Sequence, residues 1–589
     1  MTGRRHAYLS DGWFAMLAVE ADRAFAGCAR PVSLVERYSG APDGAWPHDD
    51  RFPGFRIEFR DGGSSVRSGA FAGEAADVVI DLSWQNARRI VSLPSAAGLP
   101  ELMAGLGESG DMVVAGDMSL LPFDLFAFHD AVVERTFLAA DTPDGPQVAA
   151  VLAADGDDPP ACLFTQSPWQ GAAMTIGKAR YFDPAFHAAE VEGVWKRCWQ
   201  MACRAEEIPE AGDVLVYDVA GLSILVVRGD DGDVRAFHNS CLHRGTQLQP
   251  TGACTSVTKL RCPYHGWTYG LDGRLEDAPC RWDFPQLGTD TPGLAPVQVG
   301  IWGGFVFVNP DPDAGPLLDY LGVLPDHFRS WPLDRRRIGA HVAKVIACNW
   351  KVGLEAFLEG YHVADVHPQA LAFTGDVNGQ LDVWEPNISR MIATLATASP
   401  RLPGAPISDA EILDELRRFV PGELGDVPET GGPRAAMAAA LKTMLTSATG
   451  VDHAAFSTSE IIDAVNYFVF PNFMPWAGYG TPIVYRLRPF GSDPDKSILD
   501  VYLLYFAADG EAPPCPETRW LKPGESWTAA AELGGLGAIF DQDEQNFLMI
   551  QNGLKAGGAP DLWPSRYQES RIRHFHATLD RHVAGGTPE

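Results

Sequence analysis

Apolar and polar positions change their spacing along the chain, and each change marks a region. Phe55, Ile57 and Phe59 alternate with Arg56, Glu58 and Arg60, the two-residue period of a half-buried strand, and Asp61-Gly62-Gly63 turns that strand into a hairpin. The apolar run from Asp77 to Leu82, a helix capped by Ser83 and a strand at Met112–Ala115 complete a mixed first region. Between residues 141 and 170 the pattern lapses. Asp141-Thr142-Pro143-Asp144-Gly145-Pro146 and Asp155-Gly156-Asp157-Asp158-Pro159-Pro160 are turn and breaker clusters, and the stretch reads as a linker. A helix over Pro184–Trp199 then leads into short strands at Leu215–Tyr217, Ser223–Arg228 and Val234–His238, a β-rich texture that persists to Asn309. The remainder mixes a helix through Asn349–Val366, a second opened by the capping box Ser408-Asp409-Ala410-Glu411, strands at Val465–Phe470, Thr481–Arg488 and Ile498–Phe506, and a final helix from Gln542. The pattern predicts an α+β chain in four parts: residues 1–140, a linker 141–170, a β-rich domain 171–315 and a mixed domain 316–589.

Charge narrows the range of partners. The net charge of −30 is spread over all 589 residues, so the surface repels phosphate backbones and anionic lipid, and neither nucleic acid nor membrane is an expected partner. No stretch reaches the roughly 18 uncharged apolar residues of a spanning helix, and Met1–Tyr8 lack the apolar core of a signal peptide, so a cytoplasmic location is expected. Ten cysteines are too few for a disulfide framework; in a reducing compartment a functional thiol is more often a metal ligand.

Two such thiols stand out. Cys241-Leu242-His243-Arg244-Gly245 and Cys262-Pro263-Tyr264-His265-Gly266-Trp267 each place a cysteine and a histidine on a turn between strands. Two thiolates and two neutral imidazoles can hold a [2Fe–2S] cluster with the sulfurs on one iron and the nitrogens on the other, which raises its potential. A structural zinc site would more often pair Cys with Cys and His with His along the chain. These motifs resemble the Rieske domain of the Rieske non-heme iron ring-hydroxylating oxygenases. The resemblance implies Cys241 and Cys262 on one iron and His243 and His265 on the other; His238, just upstream, reads as a turn or packing residue.

A second constellation follows at Glu359-Gly360-Tyr361-His362-Val363-Ala364-Asp365-Val366-His367-Pro368. Histidines five apart diverge by about 140° on an ideal helix, but Pro368 disfavours helical backbone at His367, which frees it to turn toward His362. Glu359, three residues before His362, shares its face. Two histidines and a carboxylate with open positions suit Fe(II) that activates O2. The third ligand can come from Asp541, Asp543, Glu544 or Asp365. The run from Asn349-Trp350-Lys351 to His367-Pro368 is similar to the catalytic domain of the same oxygenases, which implies His362, His367 and Asp543 as mononuclear iron ligands. It also implies Glu359 as the carboxylate linking one subunit's Rieske domain to a neighbour's iron. Ala356 departs from the family, which often has Asn there.

Residues 8–135 more softly resemble sterol-carrier-type lipid-binding domains, through Gly54–Phe59, Ala76–Ile80 and Asp111–Asp117. Here His6, His48, His129 and Cys28 are too scattered for a metal site, so binding rather than chemistry is expected. Gly105-Leu106-Gly107-Glu108-Ser109-Gly110 fits the dinucleotide fingerprint in letters only, because a helix precedes it and a strand follows. Together the resemblances imply a lipid-binding-like front domain, an antiparallel Rieske domain and a helix-grip catalytic domain. The implied activity is that of a terminal oxygenase hydroxylating a hydrophobic aromatic or polycyclic, steroid-like substrate with O2. Electrons would come from NAD(P)H through a separate reductase, with or without a ferredoxin, and the assembly would be a homotrimer, with or without a small β subunit. An O- or N-demethylase, and a lipid-binding Rieske electron carrier, are the alternatives.

Overall fold

The computed structural model describes residues 6–585 apart from 26, 29, 42–45, 47, 49, 61, 92, 94–95, 138–145, 170, 172–173, 289, 405, 420–423, 482 and 507–513. The front domain runs α1 (Asp11–Ala24), β1 (Val32–Ser39), β2 (Phe52–Arg60), β3 (Gly63–Ala70), β4 (Val78–Ser83), α2 (Trp84–Val91), α3 (Leu99–Ser109), β5 (Met112–Gly116) and α4 (Leu125–Glu134). Its five strands lie in the order β3-β2-β1-β4-β5, with β1 and β4 parallel and the other pairs antiparallel. The β2–β3 hairpin and the Ser83 cap, whose hydroxyl accepts from Asn86 N, follow the sequence pattern, although Asp61 of the expected turn lies outside the described residues. Gly105 and Gly107 sit inside α3 and Gly110 caps its end, so the glycine-rich fingerprint faces no helix N-terminus.

The expected linker is packed rather than loose from Val148 onward. Helix α5 (Val148–Asp155) buries Val148 and Leu152, Asp155 pairs with Arg434, and Ser167 N donates to Asp382. The cluster at residues 155–160 ends α5 at Gly156 and does not loosen the strap; residues 141–145 and 170 lie outside the described residues.

The β-rich domain starts with α6 (Pro184–Glu190), continued by a π-helical turn through Trp195, so the predicted helix stops four residues early. Its strands are β6 (Gln200–Arg204), β7 (Asp213–Val219), β8 (Leu222–Arg228), β9 (Val234–His238), β10 (Cys254–Ser256), β11 (Leu260–Arg261), β12 (Thr268–Tyr269), β13 (Leu275–Asp277), β14 (Pro296–Trp302) and β15 (Phe305–Asn309). They form an antiparallel sheet β10-β7-β8-β9-β14-β15-β6 and a small sheet β11-β12-β13.

The mixed domain contains β16 (Arg336–Ile346), α7 (Trp350–Glu355), α8 (Val363–Val366), β17 (Thr374–Trp384), β18 (Ile388–Leu395), α9 (Asp409–Leu416), α10 (Gly432–Thr449), β19 (Ala464–Val469), β20 (Met474–Ala477), β21 (Ile483–Pro489), β22 (Ser497–Phe506), β23 (Arg519–Leu521), α11 (Leu536–Ala556) and α12 (Ser570–Val583). Its eight strands run β17-β18-β19-β20-β21-β22-β16-β23, antiparallel except for the last pair. Helix α7 packs on β21 and β22 and against α11, and α12 packs along β17. One core joins the two domains: Trp195, Val226 and Val308 share it with Val342, Trp350, Phe540 and Phe575. No helix among the described residues is long and apolar enough to cross a membrane.

Candidate metal centres

The two Cys-His loops are built alike. In each, the glycine four residues after the cysteine, Gly245 or Gly266, has φ near +70° (72° and 75°) and donates its N–H to the cysteine carbonyl. The cysteine N–H in turn donates to the carbonyl of the next residue on, Thr246 or Trp267. A side chain at either glycine would strain this tight return, so the sequence spends glycine there. The loops bring the His243 and His265 ring centroids to 4.6 Å and the two thiols into contact. Tyr269 Oη lies 3.2 Å from Cys241 Sγ and accepts from Leu242 N, and Trp267 stacks on His243 at 5.1 Å. Burial opposes ionisation of Cys262, but the backbone N–H groups of Tyr264 and His265 and the Cys241 thiol outweigh it and hold the thiol below its ordinary range. His243 Nδ1 is buried with no hydrogen-bond partner. A buried, unsatisfied imidazole nitrogen beside paired thiols fits a cluster bound to nitrogen and sulfur. His238 ends β9 and stands apart from these contacts.

The second site differs from the helix expected there. Helix α7 ends at Glu355, the chain loops through 356–362, and only α8 resumes, because Gly360 and the Glu359 carboxylate break the helical hydrogen-bond ladder. Glu359 accepts from the backbone N–H groups of Tyr361 and His362 and from His362 Nδ1 at 2.6 Å. Its side chain is 10% exposed, which sets it apart from a solvated helical glutamate. His367 leaves the helix before Pro368 with φ −124° and ψ 51°. Helix α11 starts at Leu536, six residues before the expected Gln542, and its buried face of Phe540, Asp543, Phe547 and Gln551 delivers a carboxylate amid apolar side chains.

Ligand atoms of His362, His367 and Asp543 all lie within 4.8 Å of one another. His362 Nδ1 faces Glu359 Oε1 and His367 Nδ1 faces Gln542 Oε1 at 2.8 Å; a metal-binding tautomer places the ring protons on these two Nδ1 atoms. Both Nε2 lone pairs then face Asp543 Oδ1, at 3.8 and 2.9 Å. Three acceptors converge without a donor, an arrangement that a cation satisfies. Burial would lower the His362 imidazole, but the Glu359 hydrogen bond, with Asp543, raises it above its ordinary value.

The rival carboxylates are engaged elsewhere. Asp541 accepts from Trp527 N and Ser526, Glu544 from Lys344 and Trp527 Nε1, and Asp365 reaches out to Arg401 with its side chain 88% exposed. Asn546 donates to the Gln542 carbonyl. Sequence reasoning missed Gln542 and Gln369, whose Nε2 also donates to Gln542 Oε1; adjacency to Asp543 was the signal available for Gln542. Beside the site stand Tyr485 and Phe357, 4.5 Å apart, with Phe540 5.8 Å and Trp476 5.9 Å from Tyr485.

A sulfur–nitrogen cluster of side chains in the β-rich domain and a two-histidine, one-carboxylate cluster later in the chain are the donor sets expected of a Rieske non-heme iron protein. Comparison with known proteins is consistent with that class: residues 198–288 match the Rieske [2Fe-2S] domain, and residues 327–585 match the ring hydroxylating alpha subunit (catalytic domain). These spans carry a Rieske domain followed by a ring-hydroxylating alpha catalytic domain. The chain is 35% identical over 258 residues to the glycine betaine monooxygenase oxygenase subunit of Chromohalobacter salexigens, covering 43% of this chain and 55% of that one. It is 32% identical over 209 residues to the carnitine monooxygenase oxygenase subunit of Escherichia coli K12, covering 35% and 54%. The match thus spans about half the length of these relatives. A naphthalene 1,2-dioxygenase variant bound to phenanthrene shares the fold, with a TM-score of 0.50 and 19% identity over 70% of this chain and 92% of that one.

Proposed function

We propose that the chain is the terminal oxygenase of a Rieske system, inserting oxygen from O2 into a C–H bond of a small substrate. Electrons would arrive from NAD(P)H through a separate reductase, with or without a ferredoxin. The convergence of the His362, His367 and Asp543 acceptors carries this reading, because an electron carrier has no use for a second, open cation site. Bound iron and cluster would supply O2 activation and stored electrons. The chain's own residues do the rest. Glu359 and Gln542 hold both imidazoles with Nε2 free, Cys241, His243, Cys262 and His265 offer the cluster ligands, and the aromatic side chains keep water from the reacting bond. In a trimer, Glu359 would serve as the carboxylate between His362 and a neighbouring cluster.

The substrate class we favour is a small N-methylated ammonium compound, with an apolar ring as the second reading. The rings of Phe357, Tyr485, Phe540 and Trp476 suit either, since aromatic faces attract a methylammonium head as well as an apolar body. The names of the monooxygenase relatives favour the first, and the aromatic hydrocarbon role implied by the family as a whole is set behind it.

The test is anaerobic reconstitution, chemical reduction and exposure to isotopically labelled O2 with glycine betaine, choline, carnitine and naphthalene in parallel. About three irons per chain, two in the cluster and one beyond it, and labelled product or released formaldehyde are expected. Iron stopping at two, with no labelled product from any of the four, would overturn the assignment.

A further inference from the structure

Strand β1 breaks its own rule. Its inward positions are Leu34, Glu36 and Tyr38, and the two-residue period calls for an apolar side chain at all three. Glu36 instead places a carboxyl at the middle of the central strand, opposite Phe55 on β2 and Ile80 on β4. It lines a partly open cavity of about 100 Å³ walled by Tyr8, Trp13, Tyr38, Phe55, Phe123 and Phe128 with aliphatic side chains between them. Tyr8 meets Trp13 edge to face at 5.0 Å, and Phe123 lies 4.7 Å from Phe128, so the rings form two aromatic patches on the wall.

The carboxyl is half satisfied. Tyr38 Oη donates to Oε2 at 2.7 Å, and among the described residues no donor reaches Oε1. Among the described residues no arginine or lysine lines the cavity. His129, which does, has Nε2 engaged with the Ile90 carbonyl at 3.1 Å. Burial pushes the Glu36 carboxyl up to about 7, against the pull of the Tyr38 hydroxyl. The side chain is half-buried, and its second oxygen, with no protein donor among the described residues, is free to accept from a ligand. What it lacks is a cationic donor, and the walls around it are the aromatic faces that attract one.

We infer that this cavity is a binding site for a small protonated amine, with the ammonium N–H on Glu36 Oε1 and the apolar body against the rings of Trp13, Phe55 and Phe128. Three alternatives fit worse. An anion would meet the Glu36 carboxyl. A quaternary ammonium has no N–H for Oε1. A sterol does not fit, because about 100 Å³ is far below the roughly 300–1,000 Å³ of drug-sized ligand sites and closer to the cavity class that takes benzene. The inference stands apart from the proposed oxygenase activity, since no residue of either metal centre takes part.

Calorimetric titration of the full-length protein with benzylamine, benzyl alcohol and benzoate tests it. Benzylamine is expected to bind at least tenfold more tightly than the other two. Glu36→Gln keeps the shape and an acceptor for Tyr38; it is expected to lose at least tenfold in benzylamine affinity while benzyl alcohol is unchanged. His362→Ala, in the catalytic domain, is expected to leave benzylamine binding as it was. Benzoate or benzyl alcohol binding as tightly as benzylamine in the unaltered protein would overturn the inference, a comparison that needs no variant to fold. So would benzylamine affinity that survives Glu36→Gln or falls with His362→Ala, which would place the amine at the iron site.

Discussion

At His367 the ring nitrogen away from Asp543 is occupied by Gln542 Oε1, which also holds Gln369, so one neutral amide fixes the ligand's tautomer and its aim. Removing that acceptor while leaving the ligands in place should weaken iron binding by about 10–100-fold. We therefore predict that Gln542→Leu lowers mononuclear iron affinity in a metal titration while the visible spectrum of the cluster is unchanged, and that Gln542→Glu, which keeps an acceptor, restores most of it. Unchanged affinity in Gln542→Leu would show that the His367 tautomer is set elsewhere. The convergence of His362, His367 and Asp543 was legible in part because a proline after His367 is a rare pattern with a chemical cause, as are the Cys-x-His and Cys-x-x-His spacings of the other cluster. Gln542 was not, because an amide beside an acidic run is indistinguishable from surface until the helix phase is known. Glu36 escaped for a related reason: its break in the β1 alternation is visible only once the strand's inner face is identified.

At the scale of elements, α6 and α7 meet through Glu190 and Lys351, fully buried at 2.5 Å, with Trp350 Nε1 also donating to Glu190. Breaking such a pair on one side strands a charge. We predict that Glu190→Gln or Lys351→Met alone costs about 3–5 kcal/mol in denaturant unfolding, and that the double change to methionine costs much less than the sum. Additive losses would mean that the two side chains act through separate contacts. Helix α12, which the sequence reading passed over, carries arginines and histidines on a buried face, a composition that reads as surface. Its His582 stacks on Phe470 at 5.2 Å, and burial, with Arg581 nearby, pushes the imidazole down to about 4. The unfolded chain therefore takes up this proton first, between the ordinary value of about 6.5 and 4. The stabilisation is complete above pH 6.5 and is lost as pH falls toward 4. His582→Phe should remove on the order of 1–3 kcal/mol of that acid sensitivity, read as a flatter melting temperature against pH; an unchanged slope would assign the effect to other groups, such as His327, also pushed to about 4 by burial and by Arg390.

Over the whole molecule, the cores divide the chain differently from the composition. The front-domain cluster draws only on residues 9 to 132, whereas a single core takes Ile176 through Val308 together with Ala340 through Leu579. The textures along the sequence could not show that the second and third regions share an interior, since burial partners far apart in sequence leave no local periodicity. The strap after the front domain belongs with them, because Leu152 is buried in the second large core and Arg434 binds both Asp155 and Asp463. Two truncations separate these possibilities. A chain starting at residue 146 keeps the strap and the shared core, so it should fold, bind the cluster and the mononuclear iron, and melt within a few degrees of the full-length protein. A chain of residues 171–315 alone exposes the apolar surface that Trp195, Val226 and Val308 bury against the catalytic domain, so it should bind apolar dyes or aggregate despite carrying all four cluster ligands. A cooperative, monomeric 171–315 fragment with a stable cluster would show that the shared core is an interface between independent domains, and electron delivery would then have to tolerate motion between them.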